Sequence, residues 1–398
     1  MSILIALRLS RAPGAGLAAV GVLWGGLAAS MPDIKAGVAA SDAELGGALL
    51  ASAVGGVLAM LAAPRIGRGL GRFSLPVLGG LVCLAFFFPL LPREVAGLAV
   101  AMFFVGASVA ALDILTNVEI SAREAHHRAH LMGLNHALFS FAFAAAAYGT
   151  GLARQAGAGP AEILPVLALA CVGLTGVMCL PDGAAAPRMA EDRDGGAGTP
   201  WLAVGLTGLI LFAAFIGENA TEAWSALHIE RTLGAAPGAG SFGPAMLGLV
   251  MGIGRLFGQV VSERLGHGRL IFASALLGMA GSFVLAVAPT PAVAIAGVAA
   301  GALGMAAIVP SAMSILGARV TEAQRAHALS RAWMLGIAGF FVGPALMGGI
   351  AELFGLRVSF AAVCLVIALI LPTVWALRGQ PKVVGGDRTA AGSPGSEA

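Results

Sequence analysis

Apolar runs separated by short charged clusters recur along the whole chain. No charged side chain lies between Arg72 and Arg93, and residues 131–153, 195–217 and 332–351 carry no Lys, Arg, Asp or Glu. A helix of about 20 apolar residues crosses ~30 Å of hydrocarbon, so each run predicts a transmembrane helix. Helices rather than strands fit spans this long and continuous. The charge-free run 270–318 is too long for one crossing, and Pro289-Thr290-Pro291 divides it by removing backbone donors. Twelve spans follow, at 12–32, 43–63, 74–92, 95–117, 131–153, 161–181, 201–225, 243–262, 270–289, 292–316, 332–353 and 357–377, with ends good to about 2–4 residues.

Two internal echoes split this plan into halves. Arg65-Ile66-Gly67-Arg68-Gly69 returns as Arg264-Leu265-Gly266-His267-Gly268, a shift of 264 − 65 = 199 in a chain of 398 residues. Arg128-Ala129-His130 returns as Arg325-Ala326-His327. The expected fold is all-α and integral to the membrane: twelve transmembrane helices in two pseudo-symmetric six-helix bundles, residues 1–180 and 201–378. Residues 181–200 read as a linker and 379–398 as a disordered tail.

Composition agrees with this class. Hydrophobic residues make up 58% of the chain and charged residues 11%, against about 25% charged in soluble domains; mean hydropathy is +0.92. With both termini on one face, all but five of the 23 Lys and Arg residues share that face; Lys35, Arg93, Arg154, Arg231 and Arg357 lie opposite. The positive-inside rule makes the basic face cytoplasmic. The net charge of +3 therefore reflects topology, and no basic patch interleaved with aromatics suggests nucleic acid. The first span reads as a retained helix rather than a signal peptide. Cys83, Cys171, Cys179 and Cys364 all fall in spans and should be free thiols. Small-xxx-small pairs such as Gly21/Gly25 and Gly248/Gly252 predict close helix contacts, and Pro310 and Gly343-Pro344 predict kinks.

Ionisable residues inside spans need a reason, because each costs about 2.5–3.5 kcal/mol on insertion scales. Glu218 and Glu222 are i, i+4 and share a helix face, with Asn219 beside them and Trp224 just beyond. Carboxylates that close repel, so such a pair can exchange protons near neutral pH if buried; the bland alternative places both in the wet outer end of the span. Asp113 and Asn117 share a face of the fourth span, and the hairpin register puts Asp113 at the depth of His136, which allows a contact, proton-handling or structural. Glu119 and Arg123 are spaced for an interfacial ion pair. Arg255 reads as snorkelling to the inner face. Trp24 and Trp333 fall inside spans, and an indole in a cavity can stack on a flat solute; Trp201 and Trp375 mark span ends.

The loop Ala63-Pro64-Arg65-Ile66-Gly67-Arg68-Gly69-Leu70-Gly71-Arg72 resembles the signature loop of the major facilitator superfamily, and Gly254-Arg255-Leu256-Phe257-Gly258-Gln259…Arg264 resembles its second copy. The resemblance covers residues 10–378 and makes Arg65, Arg68, Arg72, Arg255 and Arg264 gating-loop candidates. The usual Asp of the first copy is missing, and Gln259 stands where the second commonly has Asp. Ser41-Asp42-Ala43-Glu44-Leu45-Gly46, Ala111-Leu112-Asp113…Asn117, Asn135-His136-Ala137-Leu138-Phe139-Ser140 and Glu218…Glu222-Ala223-Trp224-Ser225-Ala226-Leu227 are similar to a bacterial branch distantly related to the fucose permease. That kinship implies proton-coupled symport of a small polar solute such as a sugar, with an acid of the fourth span in coupling. Asp113 matches that acid in kind; Asp33 lies past the first span and receives no role.

The expected function is secondary transport by alternating access across the bacterial inner membrane, by a monomer whose partners are a small-molecule substrate, protons and the lipid bilayer. Substrate and proton candidates are Asp113, Asn117, His136, Glu218, Asn219, Glu222, Trp24 and Trp224. A proton-driven exporter is the alternative within the class. A membrane-embedded enzyme or a sensor is the alternative outside it; neither H-E-x-x-H nor G-x-S-x-G is present, and the phosphate loop G-x-x-x-x-G-K-[ST] is absent. No cofactor or metal is expected.

Overall fold

The computed structural model describes residues 3–180 and 199–381, and every regular element among them is helical. The linker over 181–200 and the tail over 379–398 lie, apart from their edge residues, outside the described residues. In chain order the α-helices are α1 (Ile3–Leu9), α2 (Arg11–Gly37), α3 (Asp42–Leu70), α4 (Ser74–Ala85), α5 (Val95–His127), α6 (Met132–Gln155), α7 (Pro160–Met178), α8 (Trp201–Leu227), α9 (Phe242–Leu265), α10 (His267–Val287), α11 (Pro291–Met305), α12 (Ile308–Gly317), α13 (Glu322–Phe354), α14 (Leu356–Ala368) and α15 (Ile370–Arg378). Eleven segments among the described residues are long and apolar enough to cross a membrane. One of them, Asp42–Leu90, contains both α3 and the 12-residue α4, joined by a single 3-10 turn.

Most ends have a local cause. Thr290 caps α11 by accepting from the Val293 amide, and Pro291 opens that helix, so the break expected at Pro289–Pro291 is real. Ser41 and Glu44 form a reciprocal capping box that starts α3. Two expectations are corrected. Arg65 and Arg68 belong to α3, which runs on past Pro64, and the turn falls at 71–73. The tenth span breaks at Ala306-Ala307 between α11 and α12, upstream of Pro310, which sits in the first turn of α12 where a missing amide costs little. Pro344 lies inside α13, which continues to Phe354.

Helices α2–α7 pack among themselves, as do α8–α15, and the two sets meet along two main seams, α6 with α9 and α3 with α13. Glycine makes these approaches possible. A Cβ on Gly25 of α2 would stand 2.1 Å from the Phe143 carbonyl oxygen of α6, and one on Gly248 of α9 would stand 2.9 Å from the Ser140 carbonyl oxygen. Arg65, Arg68, Arg72 and Arg264 lie at one end of the helices, termed the basic face below, and are exposed. All four cysteines are free.

Candidate functional site

The middle of the molecule holds a polar string that crosses from one helix set to the other. Arg255, just past the centre of the 24-residue α9, donates from Nη1 to Ser140 Oγ of α6 (2.7 Å) and from Nη2 to Glu218 Oε1 of α8 (3.0 Å). Its guanidinium lies 6.0 Å from the Phe139 ring centroid. Ser140 Oγ in turn donates to the His136 carbonyl oxygen, and His136 Nε2 meets Asn117 Oδ1 of α5 at 3.1 Å. Asn117 closes the string by donating to the Asp113 carbonyl oxygen (2.9 Å). Glu222 lies one helical turn from Glu218 and makes no hydrogen bond or ion pair among the described residues. Asp113, Asn117, His136, Glu218, Asn219, Glu222 and Arg255 are all half-buried. They lie deep in the helix packing yet are not sealed.

This geometry revises four sequence expectations. Glu218 does not lie in the outer end of a span: α8 continues through a π turn, His228–Thr232, so the span Trp201–Thr232 places Glu218 near its middle. Arg255 is not a snorkelling or gating-loop side chain, since its partners hold it at mid-height. His136 pairs with Asn117, not with Asp113, because α5 runs ten residues beyond Asn117 to His127 and the register shifts by about a turn. Trp224 is fully buried in the core and unavailable to a solute. Trp24 is half-buried on α2, and Asn219 faces α13, with its Oδ1 lacking a partner and 3.5 Å from the position a Cβ of Gly343 would take. Glu119 and Arg123 do form their ion pair, and Arg123 also binds the Leu9 carbonyl oxygen, fastening α1. Arg65, Arg68, Arg72 and Arg264 have no hydrogen-bond or ion-pair partner among the described residues; Arg72 stacks on Phe73.

Two ionic clasps at the face opposite the basic one were not anticipated. Arg154 of α6, its side chain 1% exposed, forks onto Asp33 of α2 (2.6 and 2.7 Å) and onto Glu230 of the other set (2.7 and 3.0 Å). Glu230 also accepts from the Gly238 and Gly240 amides. In the second clasp Asp42 of α3 binds Lys35 and, across the seam, Arg231, while Glu352 of α13 accepts from the Asp42 and Ala43 amides at the start of α3. The signal was present: Lys35, Arg154 and Arg231 are three of the five basic residues on the wrong side for topology. These clasps hold the two sets together at that face, while the polar string joins them at mid-height.

Comparison with known proteins agrees with this architecture. The family model described as Major Facilitator Superfamily matches residues 207–394. An uncharacterised transporter of that type from Yersinia pestis is 27% identical over 358 residues, 89% of this chain and 90% of that protein. The membrane protein MosC of Rhizobium meliloti is 28% identical over 347 residues, 84% of this chain and 82% of its own. Among solved structures, an inward-facing bacterial homologue of the human lysosomal transporter Spinster superposes with a TM-score of 0.70 at 15% identity, covering 94% of this chain and 96% of that one. The nucleoside transporter NupG superposes with a TM-score of 0.69 at 13% identity, covering 93% and 99%. The second half of the chain thus matches the model of the major facilitator superfamily, a family of membrane transporters and not of enzymes, and most of the chain's length is similar to transporters of that type.

Proposed function

We propose that the protein is a proton-coupled symporter that carries a small polar solute across the bacterial inner membrane by alternating access. Twelve helices act as two six-helix halves, residues 1–180 and 201–378, with both termini cytoplasmic. The seams support the repeat: adding the 199-residue echo to α3 gives 241–269, which covers α9, and adding it to α6 gives 331–354, within α13. The two seams thus exchange under the repeat.

The observation that carries the reading is the Arg255–Glu218 pair, which ties the halves at mid-height with an unpartnered carboxylate, Glu222, one turn away. A carrier must couple solute binding to a change in how its halves meet, and here an ionic pair with a second carboxylate beside it sits on that junction. The energy available is about 2.3 kcal/mol per charge per 100 mV plus the concentration gradient. The test is uptake by proteoliposomes under an imposed pH gradient, screening monosaccharides, polyols and small organic acids. Concentration of a solute above its outside level only while the gradient lasts supports the reading; a solute that merely equilibrates, with or without the gradient, contradicts proton coupling.

A further inference from the structure

Arg255 has more donors than its partners use. A guanidinium presents five N–H donors in a rigid fork, and one goes to Ser140 and one to Glu218. Three are left without an acceptor among the described residues, on a side chain that is 20% exposed. The middle turns of α2, α3, α10, α11, α12 and α13 carry no ionisable residue. The groups that share the site with Arg255 are Glu218 and Glu222 on α8, His136 and the Ser140 hydroxyl on α6, and Asp113 on α5.

The two signs of charge in this site behave differently. A guanidinium keeps its charge at every physiological pH, whereas a carboxylate loses its charge to one proton. Each proton the site takes up therefore makes it more positive, with Arg255 as the fixed cation. Protonating Glu218 removes the acceptor that satisfies Arg255 and leaves a planar fork, at mid-membrane, suited to two oxygens of an incoming anion. The half-buried Asn117 and His136 adjoin it as partners for hydroxyl groups.

We propose that the carried solute is a small hydroxylated carboxylate, bound by Arg255 once a proton on Glu218 has broken the Glu218–Arg255 pair. This deepens the proton-symport reading and rests on it. The exchange balances. Glu218 gains a proton on its carboxylate, the solute carboxylate takes the vacated donors, and loss of that proton returns Glu218 to Arg255 and expels the solute. Arg255 with ionised Glu218 is neutral, and so is Arg255 with a monoanion beside protonated Glu218. One proton and one monoanion thus cross without net charge, whereas a proton with a neutral sugar would carry one charge.

The test uses three solutes on one six-carbon skeleton: D-gluconate, D-glucitol and 1-amino-1-deoxy-D-glucitol. Binding to the purified full chain is followed by tryptophan fluorescence, and uptake by proteoliposomes. Gluconate alone should bind, its Kd falling by up to about tenfold for each pH unit of acidification, as one linked proton requires. Arg255→Gln should abolish binding. Arg255→Lys, which keeps the charge but not the fork, should weaken it and guards against a variant that fails to fold. Glu218→Gln should bind gluconate with the pH dependence lost. A pH gradient alone should concentrate gluconate, and a potassium diffusion potential alone should not. Preferred binding of glucitol or the amine, gluconate binding indifferent to Arg255, or no binding of any of the three overturns the proposal. Glucitol driven by the potential overturns this inference and leaves proton symport standing; gluconate that binds as expected but is not concentrated by the pH gradient overturns the symport reading itself.

Discussion

Glu218 and Glu222 share one face of α8, but their surroundings divide their roles. Glu218 is held by Arg255 until it is protonated, whereas Glu222 has no partner among the described residues and in the proposed symport relays the proton to and from Glu218. Glu222→Gln should therefore abolish pH-driven accumulation while leaving solute exchange in place, as measured in proteoliposomes; normal accumulation would mean that Glu222 does not relay the proton. The His136–Asn117 bond gives a second expectation. A double-mutant cycle of His136→Gln and Asn117→Ala on thermal stability should show coupling of about 0.5–1.5 kcal/mol, the usual worth of a hydrogen bond. A cycle pairing His136→Gln with Asp113→Asn should show less, because His136 meets Asn117 and not Asp113. The acids and His136 were legible in the sequence because a polar residue in an apolar run is conspicuous. The partners were not, since they depend on how far α5 overshoots α6 and on which helix of the other half faces Arg255. Neither quantity is encoded in local spacing.

Helix contacts in this molecule depend on small residues at particular points. Gly25→Ala should destabilise the protein by about 1–3 kcal/mol, the usual penalty for overpacking, because its Cβ would stand 2.1 Å from the Phe143 carbonyl oxygen and backbone cannot swing aside. Gly47→Ala, with nothing within 4 Å of its Cβ, is the control and should be neutral in thermal unfolding in detergent. Equal effects at the two sites would mean that α2 and α6 are not packed so closely. The spans themselves were readable from hydropathy and from breakers such as Pro289-Thr290-Pro291. The span end expected at Pro64 was wrong, since α3 runs on through it to Leu70. Charged residues also concealed helix length: α5 extends to His127 and α13 begins at Glu322, well past the apolar part of each.

At the level of the whole molecule, the arginine asymmetry predicts an orientation, and three of its five exceptions, Lys35, Arg154 and Arg231, mark where the halves are fastened. Arg154 is shared by Asp33 and Glu230, and removing it leaves two carboxylates facing each other with no cation between them. Breaking such a buried arrangement costs about 3–5 kcal/mol in general. Arg154→Gln should thus loosen the face opposite the basic one, lengthening and broadening the distance between spin labels placed at the ends of α2 and α8; an unchanged distribution would mean the clasp does not hold the closed face. In the proposed alternating access this face opens while the basic face closes, with the mid-height string as the junction between the halves. The most direct test of that account is accumulation of a transported solute by proteoliposomes under an imposed pH gradient, wild type beside Glu222→Gln. The wild type should concentrate the solute and the variant should only equilibrate it. Equal accumulation by both, or accumulation by the wild type without a gradient, would contradict the account.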